Sequence, residues 1–528
     1  MRVFPIRFVT VVIAISFCFH SARADDPVTV SGVSGGLCVQ LGASDLTLAT
    51  DLARTGRFLV HVLDEDDKTI AAAQQQLYSQ NLYGLVSIDH PDAEGKLPYA
   101  ENLVNLLLIA QRPQSGVSLD ELKRVLCPRG VVLVAPEVLS DEQLQSAGFA
   151  DVRVVEASRT WLTGRKPWPA EMDVWSHPRH SASGNAVSSD TIVGPPRRIR
   201  WLAGPWQEVS SMVSADGRNY YGGLITRDSF NGLRLWEKSI TPSPANGGFG
   251  FHSTPGSVSP VAGDGRLFVV TDGKLQALSG STGETLQEYS EAGKPLHVLY
   301  DDGMLITVGG GDVKGIEAQS GRLLWTHQAS EPRFVVVGDD TVGLMQGNVR
   351  RGEKSVVVAL DKRSGKVRWT REDFPWAANA TRSVYYQGML TFEVSTLNDG
   401  GAGNAIHILT ADDGTVRLDH DFLPGANHMR QARAMYIDNT LWLLHGGKDA
   451  DNKRHPTEIS AIDYLTGKVR ATHPAGLVHC FPPVATSNFF FSGEMDLTDL
   501  RNGQLDANQI TKAACGRDSG WIPANGLI

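Results

Sequence analysis

The chain has 528 residues, 41% of them hydrophobic and 20% charged, with 54 glycines and a formal net charge of −9. That length favours more than one domain, and the glycine content favours many turns between short strands. A net acidic chain does not hold phosphate backbones non-specifically, which argues against a nucleic-acid partner.

Arg2 and Arg7 flank the apolar run "FVTVVIAISFCF", and "ARA" (Ala22–Ala24) offers small residues for cleavage. This pattern predicts a signal peptide over 1–24 and an exported protein, placed in the periplasm or cell envelope or secreted. Losing Arg2, Arg7 and Arg23 with it takes the charge from −9 to −12. The run is short for a membrane span, and no other segment is apolar enough to act as a transmembrane anchor. Of the five cysteines, Cys18 leaves with the signal. Cys38 and Cys127 read as buried thiols. Cys480 and Cys515, late in an exported chain, are the candidate disulfide.

Residues 31–165 alternate strands with helices. "GLCVQLG" reads as a buried strand, "DLTLATDLARTG" as a helix stopped by Gly56, and "RFLVHVLD" as a second strand. "DKTIAAAQQQLYSQN" is a helix, "YGLVSIDH" and "LVNLLLIA" are strands, "SLDELKRVLCPRG" is a helix and turn, and "VVLVAPEV" is a strand. Such alternation predicts a parallel, doubly wound α/β sheet, a Rossmann-like domain. Asp64 closes the second strand 22 residues after Gly42, where an acid can accept from ribose hydroxyls.

The order resembles class I S-adenosylmethionine-dependent methyltransferases, with "VQLGASDLTLATDLA" as the cofactor loop and "LKRVLCPRGVVLV" as a late element of that family. The resemblance implies S-adenosylmethionine as ligand, with Gly42, Ser44 and Asp64 around it and Asp92, in "HPDAEG", at the adenine. The family loop is acid-x-Gly-x-Gly-x-Gly, and Gln40, Gly42, Ser44 and Leu46 stand in those places here. Two glycines and the acid are replaced, so the expectation is a degenerate domain, with an active methyltransferase as the alternative. Asp45 reads as an N-cap. "GVSGG" (32–36) fits G-x-S-x-G but precedes the first strand, so it is not a hydrolase elbow.

Residues 166–197 are dense in Pro, Ser and Gly and predict an ordered linker or a lid over the C-terminal unit. His177 and His180 lie three apart, but with no helical pattern and no third ligand they read as a surface loop and not a metal site.

From 198 to 528 one unit repeats. In "PLHVLYDDGMLITVGGGDVKGIEAQSGRLLWTHQ", glycine turns separate four short strands, which predicts an antiparallel meander. The turn recurs at Gly232, Gly283, Gly321, Gly365, Gly414, Gly467 and Gly503. Such a period, with four strands per unit, predicts a β-propeller of seven or eight blades, possibly incomplete. "RRIRWLA" (197–203) reads as a strand able to complete the last blade. Trp236, Trp325 and Trp369, shortly after the turns, suit packing between blades, with Leu418 and Arg470 near that place in weaker copies.

The motif A-x-D-x-x-(T/S)-G-x-x-x-W, as in "ALDKRSGKVRW", resembles pyrroloquinoline quinone (PQQ)-type propellers. That family holds quinoprotein alcohol dehydrogenases and non-enzymatic propellers of outer-membrane assembly. The dehydrogenases use adjacent cysteines and a Ca²⁺ site of Glu, Asn and Asp. This chain has no adjacent cysteines, which argues against PQQ and a PQQ-dependent oxidoreductase. The expected role is binding or scaffolding, with propeller loops facing a protein or a cell-envelope polymer.

Overall fold

The computed structural model describes residues 27–91, 95–111, 116–157, 159–203, 212–222, 225–238, 258–348, 352–394, 405–422, 434–448, 453–476, 483–492, 496–507 and 521–528. Residues 1–24, expected to be a signal peptide, and Asp92, Cys480 and Cys515 lie outside these residues.

Seven strands build the first sheet: β1 (Gly36–Leu41), β2 (Phe58–Leu63), β3 (Val86–Asp89), β4 (Val104–Ile109), β5 (Leu126–Val134), β6 (Ala150–Glu156) and β7 (Thr160–Arg165). Their order is β3-β2-β1-β4-β5-β7-β6, parallel except for β7, which runs antiparallel between β5 and β6. This is the doubly wound Rossmann order with one reversed strand slipped in, and the order reverses between β1 and β4. Every residue of β1 and β4 is buried, because apolar clusters cover both faces. Five helices flank it: α1 (Pro27–Ser31), α2 (Thr47–Arg54), α3 (Asp67–Ser79), α4 (Leu119–Val125) and α5 (Asp141–Ser146). Gly56, at φ +69°, follows α2 as expected. The turn expected at "CPRG" is instead an irregularity inside β5, with Arg129 at φ +66°. Cys38 and Cys127 are buried free thiols, as the sequence implies.

Seven further sheets follow, spanning 212–237, 261–288, 297–328, 333–371, 380–421, 434–474 and 484–507. Each is a four-stranded antiparallel meander, and the last gains β8 (Val187–Ser188), parallel to its first strand. The first strands of successive sheets touch one another, so they surround a common axis and the sheets are seven blades of a propeller. Turns between the first two strands use Asp–Gly pairs: Asp216, Asp264 and Asp302 sit at φ +54°, +49° and +46°, each before a positive-φ glycine. That is the geometry that a two-residue hairpin needs.

All seven landmark glycines have φ between +65° and +76°. They also leave room for the previous blade. A Cβ on Gly283 would lie 2.7 Å from Trp236, one on Gly365 2.5 Å from Trp325, and one on Gly414 2.8 Å from Trp369. Each indole N–H donates to the carbonyl three residues before its glycine: Trp236 to Gly280 (3.0 Å), Trp325 to Lys362 (2.8 Å) and Trp369 to Ala411 (2.8 Å). At Gly321 the Tyr289 hydroxyl does the same to Ala318 (2.5 Å). Leu418 faces Gly467 as expected, but His473 and not Arg470 faces Gly503. Residues 197–203 form no strand. Trp201 instead packs on Gly232 and donates to Ser229 (2.9 Å), acting for blade 1 as the other tryptophans act for the blades after them.

The two units meet through a buried polar network. Asn105 Nδ2 donates to Asp228 (2.7 Å), and Asn105 Oδ1 accepts from Leu37 N (2.8 Å) and Asn231 Nδ2 (2.8 Å). Asn231 also donates to Leu103 O, Ser34 Oγ to Ser281 O, and Arg129 pairs with Asp216 at 2.5 Å. Burial pushes the Asp228 carboxyl up, against the bonds from Asn105, Asn231 and Phe230. Residues 36, 105 and 127 are the first or second residues of β1, β4 and β5, so the N-terminal edge of the Rossmann sheet rests on hairpin turns of blades 1 and 2. Its opposite edge points away from the ring.

Candidate functional site

In an open doubly wound sheet, ligands bind beyond the carboxyl ends of the strands, where the order reverses. The structure brings Gly42, Ser44 and Asp64 to that edge, after β1 and β2. Gly42 adopts φ +97°, and a Cβ there would meet nothing within 4 Å, so the backbone is open on that side. Ser44 is exposed. The Asp64 carboxylate is drawn inward: one oxygen accepts from Ala43 N (2.6 Å), the other from Asp66 N (3.0 Å). Each oxygen retains a lone pair, so Asp64 can still accept from a diol.

Gln40 differs in kind from an acid. Its amide donates to Gly42 O and to Asp45 O, both at 2.8 Å, pinning the loop onto the strand end. Its Oε1 is buried without a hydrogen-bond partner. Leu46 is buried at the start of α2. Asp45 accepts from Thr47 N (2.9 Å), but the N-cap of α2 is Leu46, which has no side-chain cap bond, so the N-cap role expected of Asp45 is not met: it sits one residue too early. Thr47 holds its carboxyl below the ordinary range, with the Arg159 charge adding a little. Arg159 lies over the Trp161 ring at 4.3 Å and, with Pro136, Glu137 and Thr160, lines a shallow, open depression beyond β5. The sequence reading missed Arg159, because the β6–β7 hairpin that delivers it carries no motif.

Gly42 and Asp64 suit a nucleoside ligand. Gln40 and Leu46 do not supply the carboxylate or the bare backbone that the S-adenosylmethionine loop needs, so the full set does not fit that cofactor.

A propeller offers a second place, the channel along its axis. Here residues 173–190 lie inside the ring. Trp175 exchanges both backbone bonds with Ser214 of blade 1 (2.7 and 2.8 Å). Ala262 N of blade 2 donates to Ser176 O (2.9 Å), and Tyr300 N of blade 3 to His177 Nε2 (3.0 Å). Val337 N and Tyr385 N of blades 4 and 5 donate to Ala182 O and Ser183 O, both at 2.9 Å. Asn185 bonds both backbone groups of Tyr436 in blade 6 (2.9 Å each). Ala186 and β8 pair with blade 7. The segment thus visits the innermost strands in blade order.

His177 is buried and His180 half-buried, so the expectation of a surface loop is wrong for both. Because His177 Nε2 accepts a backbone N–H, Nδ1 carries the proton and donates to Ser176 Oγ (2.8 Å), which donates to His180 O (3.1 Å). Burial pushes this imidazole down to about 3, with the His180 charge adding to the effect. His180 adopts φ +73° and meets Asp173 at 2.9 Å. Burial pushes the Asp173 carboxyl up, but bonds from His180, Ser189 and Val174 outweigh it and hold it well below the ordinary range. Among the described residues no group of three His, Cys, Asp or Glu could hold a metal ion. With its axis filled by the chain itself, the ring does not fit a quinone there.

Against known proteins, residues 221–373 match the family described as outer membrane protein assembly factor BamB. No curated protein matches the chain. Among solved structures, a europium-containing methanol dehydrogenase is 12% identical over 65% of this chain and 87% of its own, with a TM-score of 0.45. BamB from Moraxella catarrhalis is 14% identical over 57% and 92% (TM-score 0.29). A putative S-adenosylmethionine-dependent methyltransferase from Methanococcus maripaludis is 16% identical over 27% and 83% (TM-score 0.25). No helix among the described residues is long and apolar enough to cross a membrane. The chain thus carries a seven-bladed β-propeller, similar over 221–373 to the PQQ-like repeat of the BamB family, behind a Rossmann-like unit.

Proposed function

We propose that the protein is an exported binding or scaffold protein, whose propeller loops face a protein or cell-envelope polymer and whose methyltransferase-like domain is degenerate. The observation that carries this reading is the Gln40 amide, committed to Gly42 O and Asp45 O where the methyl-donor loop has an acid. The filled axis supports the same reading for the ring, and a protein partner accords with the BamB-type match. Export rests on the pattern of residues 1–24, and a Cys480–Cys515 disulfide belongs with it.

A second reading, an enzyme that binds S-adenosylmethionine, is favoured by the open backbone at Gly42 and by Asp64 beside it. Calorimetric titration of the purified chain with S-adenosylmethionine separates the two. No heat at micromolar concentration is expected. Micromolar binding that Asp64→Ala abolishes would replace the scaffold reading with the enzyme.

A further inference from the structure

We infer that residues 173–190 are an internal hoop: a stretch of the chain's own that closes the seven blades from inside and occupies the axis as a tethered ligand. Each blade's first strand pairs on one side with its second strand, so its other edge faces the axis. Backbone groups on such an edge are costly when buried and unmatched. The hoop answers them at every blade, through Trp175, Ser176, His177, Ala182, Ser183, Asn185 and Ala186 in turn. The fit is close: Gly184 sits at φ +72°, and a Cβ there would lie 3.1 Å from Ser383 O.

The hoop's two ends are tied to each other. Asp190, wholly buried, accepts from Asp173 N (3.3 Å), and Ser189 N donates to Asp173 (2.7 Å). Beside that knot lies the seam between blades 7 and 1. Residues 521–528 fill it: Gly526 N donates to Asp190 (2.7 Å), Asn525 N to Asp173 O (2.9 Å), and the Asn525 amide to Ser214 and Ser229 of blade 1. Ile522 and Ala524 pack with Trp175 and with Val484, Phe491 and Leu497 of blade 7. A ring usually needs a strand shared between its ends. This one is laced from the middle, and a molecule entering along the axis must first displace the lace.

The test cuts the lace in place. Protease sites inserted after Ala170 and at 197–199, exposed stretches on either side, allow the folded full chain to be cleaved twice. Native mass spectrometry and ultrafiltration then track the peptide 171–198. It is expected to stay with the ring and to appear in the filtrate only in denaturant. Its release under native conditions, from a ring that keeps its melting temperature, would overturn the inference. Native-state hydrogen exchange on the unaltered chain gives an independent reading. The amides of Ala262, Val337, Tyr385 and Ala485, which donate into the hoop, are expected to exchange only through global opening. Exchange at the rate of exposed edges would overturn it equally.

Discussion

The axis of the propeller and the carboxyl edge of the Rossmann sheet are the two places where such folds hold ligands, and this chain treats them oppositely. On the axis, the polar edges of the blades meet atoms of residues 173–190. At the sheet edge the backbone at Gly42 stays open, while Gln40 and Leu46 stand where the family loop has an acid and a glycine. Filling a site with matched groups makes it part of the fold. Altering the residues of an open site changes what it holds and costs the fold little. Substitutions at the axis are therefore expected to register in stability, and those at the edge hardly at all.

The largest effect is expected at Asp190. Its carboxylate accepts from the backbone of Asp173, Ile192, Val193 and Gly526 with no solvent exposure. Asp190→Ala leaves several buried N–H groups unmatched, and a loss of about 3–4 kcal/mol is expected in urea unfolding. A loss below about 1 kcal/mol would mean that the axis is looser than its bonds imply.

Acid sharpens the contrast next. The folded His177 imidazole sits near 3 and the ordinary value is 6.5, so between these the unfolded chain takes a proton that the folded chain refuses. Stability is then lost as pH falls from 6.5 towards 3, by about 1.4 kcal/mol per unit at most. His177→Gln, which can still accept from Tyr300 N, is expected to flatten that slope in melts taken between pH 7 and pH 5. An unchanged slope would place the titration elsewhere.

At the sheet edge, Gly42→Ala meets no neighbour and bears only the left-handed backbone, about 1 kcal/mol by chemical denaturation. Ser44→Ala, on an exposed residue, is expected to stay within about 0.5 kcal/mol of the parent. A larger loss at Ser44 would show the open edge to be as tightly built as the axis.

The fold was legible where local chemistry repeats. Seven turn glycines announced seven or eight blades, of which the structure shows seven, because each glycine needs positive φ and each makes way for a neighbour's side chain. Alternating strands and helices announced the Rossmann sheet for the same local reasons. The axis was not legible. A stretch rich in Pro, Ser and Gly looks like a surface loop, and what buries it are strand edges between about 40 and 300 residues further along. Trp201 was misread as part of a strand, since its place is set by Gly232 and not by its own neighbours. Ser34, in the false elbow, serves instead to bond Ser281 across the two units. At the candidate site, Gln40 was seen to be the wrong residue. Its grip on Gly42 and Asp45 arises from loop geometry that no motif encodes.

The ring's lacing is uniform, but its outer buttons are not. Five of the seven turn carbonyls take a Trp or Tyr proton from the preceding element. At Gly467 and Gly503 the visiting side chains are Leu418 and His473. Transient breathing of the propeller should therefore start in the sector of blades 6 and 7, and a probe of its slow fluctuations should find the fastest-opening amides there.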